Sequence, residues 1–213
     1  MKKLLLAGVA LAAMTSMMGS ANAAYALVMK GPGAGNPFWA AVEKGAKEKG
    51  TELGVDVIVV APPAETDVQA QVTQVEDLIA QKVEGIALAP TDPGALAPVV
   101  DAAKAAGIPV VFVDTLGSNE GVTFIGTNNE VGAALAAKYM CDNLPAGSEV
   151  AILQGVMAHS TAQFRANGAK AGLEGCGRKV VAEQTAEWDR AKGLAVTENI
   201  LAGNPNIKGI FGS

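Results

Sequence analysis

Residues 25–39 read Tyr25-Ala-Leu-Val-Met-Lys-Gly-Pro-Gly-Ala-Gly-Asn-Pro-Phe-Trp39. Tyr25 to Met29 is a short apolar run bounded by a glycine-rich loop, the pattern of a buried strand. Asn36 offers a helix cap and Pro37 the first helical position, so Phe38 to Leu53 reads as a helix. A strand that passes through a short loop into a capped helix is one βα unit of a layered α/β fold.

The unit repeats. Val55–Val60 is an apolar strand. Thr66 with Gln69 three residues on makes a capping box, opening a helix to about Gln81. Gly85–Ala89 is a strand, Asp92-Pro93 starts a helix that ends at Gly107, and Ile108–Val113 and Val122–Ile125 are two more strands. The strands are continuous apolar runs rather than alternating ones, which suits parallel sheets covered on both faces. The pattern then restarts. Asn129–Asn143 is helical, Val150–Leu153 a strand, Thr161–Glu174 a helix and Lys179–Glu183 a strand. Asp189 caps a helix to Ala202, and Ile207–Phe211 is the last strand. There is also a faint internal echo: Glu76-Asp-Leu-Ile-Ala80 leads to Val83-Glu-Gly-Ile86 as Glu198-Asn-Ile-Leu-Ala202 leads to Ile207-Lys-Gly-Ile210. The expected fold is α/β, with two similar Rossmann-like lobes of parallel strands, residues 24–126 and 127–213. The second lobe reads as incomplete, because it stops on its third strand where the first has five. The chain is accordingly expected to be a fragment of a longer protein, whose bare last strand is an unpaired edge.

Composition narrows the function. The 213 residues carry a net charge of −5, which becomes −7 without residues 1–23, a segment with two lysines and no acid. An acidic chain without basic runs is a poor partner for phosphate backbones, so nucleic-acid binding is not expected. Charged residues make up 17%, below the ~25% of an average soluble domain, which points to a large buried core. Residues 1–23 read as a signal peptide: Lys2-Lys3, an apolar stretch from Leu4 to Ala13, and the small-x-small box Ala21-Asn22-Ala23. The apolar run is too short for a membrane span. Export to the periplasm follows. An oxidising compartment makes Cys141 and Cys176 a candidate disulfide, stabilising by about 4 kcal/mol in the chain-entropy model; two free thiols are the alternative. Two Cys and His159 do not make a zinc ligand set.

In open α/β sheets, ligands bind beyond the carboxyl ends of the strands. There the sequence places Lys30, the loop Gly31–Gly35, Asn36, Phe38 and Trp39, then Thr91-Asp92, Asp114-Thr115, the stretch from Gln154 to Arg165, and Trp188-Asp189. Acids and amides bond vicinal hydroxyls, Arg offers a planar fork, and aromatic faces cover the C–H side of a sugar ring. Each residue also has a structural reading. Either tryptophan fits a core role, Asp114 can cap local backbone, Asp92 before Pro93 is a helix cap, and Arg165 fits a solvated helix face. Enzyme readings fail. Gly31-x-Gly33-x-x-Asn36 lacks the third glycine of a dinucleotide fingerprint, which leaves Glu65 and Asp67 after the second strand a weak ribose site. Gly45-x-x-x-x-Gly50-Thr51 lacks the P-loop lysine. No Gly-x-Ser-x-Gly elbow occurs, and adjacent His159 and Ser160 are not how a nucleophile meets its base. No catalytic residue, cofactor or metal is expected.

Asn36-Pro-Phe-Trp39, Gly85-Ile-Ala-Leu-Ala-Pro-Thr-Asp92, Ile108-Pro-Val-Val-Phe-Val-Asp114 and Glu187-Trp-Asp-Arg-Ala-Lys-Gly193 resemble the periplasmic sugar-binding proteins of ABC importers, the ribose, allose and galactose type with the type I periplasmic binding protein fold. The resemblance implies two lobes that close on one monosaccharide, a monomer, and docking of the closed form on an inner-membrane permease. It assigns sugar contacts to Asn36, Phe38, Trp39, Asp114, Arg165 and Trp188, and to Lys30 as in the allose type. Thr115 stands where ribose binders carry Arg, which counts against ribose. The Gly-rich loop is longer than in the allose type. The alternatives to import are a sensing module for chemotaxis or signalling, and a non-functional truncated remnant.

Overall fold

The structure, a computed structural model, describes residues 24–213; the expected signal peptide lies outside them. The chain runs β1 (Ala24–Val28), α1 (Pro37–Leu53), β2 (Asp56–Val60), α2 (Val68–Gln81), β3 (Gly85–Leu88), α3 (Pro93–Ala105), β4 (Val110–Val113) and β5 (Thr123–Ile125). It continues through α4 (Asn129–Asn143), β6 (Glu149–Gln154), α5 (Ser160–Gly175), β7 (Lys179–Thr185), α6 (Arg190–Gly203) and β8 (Ile207–Gly212). The strands form two sheets, in the orders β2-β1-β3-β4-β5 and β7-β6-β8. Every pairing is parallel. The second sheet thus repeats the β2-β1-β3 half of the first. The echoed segments both enter a third strand, β3 or β8, which pairs with the first strand of its own sheet.

The doubly apolar strands are explained by their two covered faces. Along β1, Ala26 and Val28 point into a cluster with Val75 and Leu78 of α2 and Leu96, Val99 and Val100 of α3. Leu27, followed by Met29, points the other way, against Trp39 of α1 and Ala89. A strand sandwiched in this way has no polar face to show, so the period-two alternation vanishes. In the second lobe Val150, Ile152 and Phe211 pack on Ala133 and Ala137 of α4 and Ala169 and Leu173 of α5.

Three helix starts follow the caps read from the sequence, and that of α2 does not. Asn36 Oδ1 accepts from the backbone N–H of Phe38 and Trp39, and Asp92 Oδ1 from Gly94 and Ala95. Asp189 likewise caps α6. For α2 the cap is Asp67, not Thr66: its carboxylate accepts from Ala70 N at 3.2 Å. A carboxylate caps at least as well as a hydroxyl and also favours the positive helix end. Thr66 instead closes the preceding turn, its carbonyl accepting from Val68 N at 3.1 Å.

Cys141 and Cys176 are bonded, with Cα atoms 6.2 Å apart. The bridge ties the last turn of α4 to the end of α5. Arg178 braces the same corner, its buried guanidinium donating to the carbonyls of Cys176, Cys141 and Leu144. Cys141→Ser is expected to lower stability by about 2–4 kcal/mol, read as a lower urea midpoint under oxidising conditions. The same loss should appear on adding reductant to the unaltered protein, and indifference to both would show that packing alone holds the corner.

Candidate functional site

The carboxyl ends of both sheets face one cavity of about 970 Å³, lined among others by Lys30, Asn36, Phe38, Trp39, Asp114, Arg165 and Trp188. All seven residues to which the resemblance assigns sugar contacts therefore share one space, although they come from five separate segments, whereas Thr91, Asp92 and Thr115 do not line it. Lys30 follows β1, Asn36 caps α1 and Phe38 and Trp39 lie in its first turn, Asp114 follows β4, Arg165 lies in α5 and Trp188 precedes α6.

At the floor is an ion pair. Lys30, 2% exposed, places Nζ 3.0 Å from Asp114 Oδ2. Nζ also lies 4.8 Å from the Trp188 ring centre and 5.7 Å from that of Trp39. The ammonium thus sits between two indoles and a carboxylate, the surroundings that make burial of a cation tolerable. Burial still pulls the Lys30 pKa below its ordinary value, against the opposing pull of Asp114 and Glu65, and Arg165 adds to the lowering. Asp114 Oδ2 also accepts from Thr115 Oγ1 at 2.8 Å.

Backbone strain concentrates here. Among the described residues four non-glycine positions have positive φ, and Asp114, Glu187 and Trp188 are three of them, at 60°, 54° and 54°. All three line the cavity. Each such conformation costs of order 1 kcal/mol, so the surrounding packing must impose it. For Trp188 that packing is visible. Its ring lies on Gly155, where an added Cβ would come within 2.2 Å of the indole, and its Nε1 donates to the Ser213 carbonyl at 3.0 Å.

The alternatives for each residue resolve differently. Trp39 is both core and wall: 2% exposed, packed on Leu27, Met29 and Ala89, with Nε1 donating to Glu65 Oε1 at 2.8 Å. Phe38 is 51% exposed and meets Trp39 edge to face, centroids 4.9 Å apart. Asn36 spends its carbonyl on capping α1, which leaves its NH₂ for the cavity. Arg165 is not a solvated helix charge; it is half-buried and held by Asn129 Oδ1 at 2.8 Å. Asp92 is a helix cap, as expected.

Two residues that the sequence offered only for other roles belong with the site: Glu65, weighed as a weak ribose contact, lines the cavity, and His159, weighed as a zinc ligand and a catalytic base, lies buried behind it. Glu65 follows β2 at the same end as every other site residue, so strand position was the available signal. His159 is fully buried, with Nε2 3.1 Å from the Glu65 carbonyl and its ring 5.4 Å from Trp188. Burial, then the Lys30 charge, hold its pKa down at about 4, against the Glu65 carbonyl bond, Asp114 and Asp92. Ser160, beside it, donates to the Leu116 carbonyl at 2.9 Å, so its hydroxyl is committed to backbone. Among the described residues no group of three or more His, Cys, Asp or Glu is placed to hold a metal.

Such a cleft between two layered α/β lobes belongs to a known class of proteins. The chain is a member of the periplasmic binding protein family: residues 25–213 match the family's periplasmic binding protein domain. The family is one of solute-binding proteins rather than enzymes. Among relatives, the chain is 37% identical to the ribose import binding protein of Bacillus subtilis over 83% of its own length and 57% of the relative's. It is 36% identical to the D-allose-binding periplasmic protein of Escherichia coli, over 93% of its length and 66% of the relative's. A solved solute-binding protein of an ABC transporter from Burkholderia graminis, in complex with D-arabinose, superposes with a TM-score of 0.83 at 36% identity, covering 89% of this chain and 65% of that one. The chain thus spans somewhat under two thirds of these relatives.

Proposed function

We propose that this protein is the periplasmic solute-binding component of an ABC importer, holding one monosaccharide between its lobes, residues 24–126 and 127–213. The observation that carries the reading is the balance of the cavity. Its lining includes four basic and four acidic side chains, paired or spaced so that no net charge is offered, beside two indoles and the Phe38 ring. A neutral, hydroxyl-rich ring suits this surface: ions and amides for the hydroxyls, aromatic faces for the C–H side. A phosphorylated or carboxylate ligand would need an excess of positive charge. In this reading Lys30, Asn36, Asp114 and Arg165 bond the sugar, Phe38, Trp39 and Trp188 wall it, and closure of the lobes presents the loaded form to a permease. Residues 1–23 would direct export. The named relatives and neighbours handle ribose, allose and arabinose, and Thr115 in place of an arginine counts against ribose.

Titration calorimetry with pentoses, hexoses and polyols tests this. One aldose should bind saturably, and Trp188→Ala should weaken it by roughly 2- to 10-fold, since an aromatic contact contributes about 0.5–1.5 kcal/mol beyond its area. Affinity unchanged in both Trp188→Ala and Arg165→Ala would sink the reading of the site, and binding of none of the sugars would sink the function.

A further inference from the structure

Glu65 and His159 lie on opposite lobes, 94 residues apart in sequence, yet each is fixed to an aromatic wall of the cavity. Glu65 holds Trp39 through Oε1 at 2.8 Å, and His159 packs its ring on Trp188 at 5.4 Å. Between them runs the bond from His159 Nε2 to the Glu65 carbonyl, 3.1 Å long. We propose that this pair is a latch, in which closing the lobes and seating the Trp39 wall are one event. Glu65 and His159 are positioning residues: they act through the indoles. The proposal rests on the sugar-binding reading for its ligand, and on the following for its mechanics.

The lobes share no apolar cluster among the described residues; each of the three clusters lies within one sheet's layers. Hydrogen bonds bridge them instead. Besides the latch, Thr161 Oγ1 meets Thr115 Oγ1 at 3.0 Å and the Asp114 carbonyl at 3.4 Å, and Ser160 Oγ bonds the Leu116 carbonyl at 2.9 Å. An interface of this kind opens at modest cost, as inter-domain contacts do. Space for Glu65 is kept by Gly31, where an added Cβ would come within 2.9 Å of Glu65 Cγ.

The proton on the latch is assigned by chemistry. A carbonyl only accepts, so Nε2 carries the hydrogen and Nδ1 of a neutral imidazole is a bare acceptor. Nδ1 lies 3.7 Å from Glu65 Oε2, and neither atom has a hydrogen-bond partner. The latched state therefore holds two facing lone pairs. The charged and titratable groups around His159 are Glu65 after β2, Lys30 after β1, Asp114 after β4 and Asp92 at the start of α3. Burial and the Lys30 charge outweigh the Glu65 carbonyl bond and the charges of Asp114 and Asp92. A His exposed by opening takes up its proton near pH 6.5, whereas the latched one stays neutral down to about pH 4. The open state thus binds more protons across that window, and acid favours opening by about tenfold per pH unit below 6.5.

The test has a sugar arm and a sugar-free arm. Calorimetry and tryptophan fluorescence with D-allose and with D-ribose, from pH 7.5 to 4.5, should show affinity falling by about tenfold per unit below pH 6.5. His159→Gln should remove that slope. Glu65→Ala should weaken binding on the order of tenfold, the loss expected of a hydrogen bond to a charged group, and shift Trp39 emission. Glu65→Gln, whose amide oxygen still accepts from Trp39, should restore both. Small-angle scattering without sugar should show the radius of gyration of the unaltered protein rising as pH falls, while His159→Gln holds one value. If neither sugar binds, the sugar-binding reading fails while the scattering arm still decides the latch. Parallel pH profiles for the unaltered protein and His159→Gln, or wild-type emission in Glu65→Ala, would overturn the proposal.

Discussion

Asp114→Ala is expected to lower the unfolding free energy by about 3–5 kcal/mol, the usual cost of stripping the partner from a buried charge. Lys30 is 2% exposed and its ammonium bonds Asp114 at 3.0 Å. Without the carboxylate, Glu65 remains the nearby acid among the groups that act on it. A second loss comes from the backbone, since Ala would have to hold the φ of 60° that Asp tolerates better. The pH dependence identifies the cause. In the variant the folded-state Lys30 pKa drops further below its unfolded value, so the unfolded chain binds more protons in between, and stability climbs as pH rises toward 10. Urea titrations at pH 7 and pH 9.5 should therefore show a smaller deficit at the higher pH. Asp114→Asn, which keeps the conformation and an acceptor, should fall between. A deficit under about 1 kcal/mol at pH 7 would mean that Lys30 does not depend on this pairing.

Trp39→Ala should cost a similar amount, about 3–5 kcal/mol, through the cavity left among Leu27, Met29 and Ala89. Trp39→Phe should lose much less, since it fills most of that volume and gives up chiefly the bond to Glu65 Oε1. In the sugar-binding reading both variants also weaken the ligand, because the wall behind it shifts. Denaturant midpoints for the pair, with calorimetry on the folded fractions, separate packing from contact. Equal stability of the Ala variant and the parent protein would contradict the buried position.

The contrast between these residues and Glu65 shows what a sequence can reveal here. Strand β1 was legible because a short apolar run stops at a glycine-rich loop, the pattern of a strand covered on both faces, and α1 because Asn36-Pro37 is a local cap signal. The seven cavity residues were legible because parallel sheets put their ligand at one end, and all seven sit there. Thr66 was misread because two neighbouring residues both satisfy the capping rule, and only the backbone decides between them. The double role of Trp39 was hidden, since periodicity cannot say that a ring forms a core face and a cavity wall at once. Glu65 and His159 were read only for other roles, for a different reason: their meaning is the contact between them, made across the two lobes by chain folding and announced by no local motif.

The even match of four cationic and four anionic side chains around the cavity also has a kinetic side. Such a mouth casts little far-reaching field, and the uncharged sugar of the proposed reading would arrive by plain diffusion, without electrostatic steering. Capture is then nearly indifferent to ionic strength, which screens long-range attraction and leaves short contacts intact. That suits the exported role proposed above, in a compartment whose salt follows the outside medium.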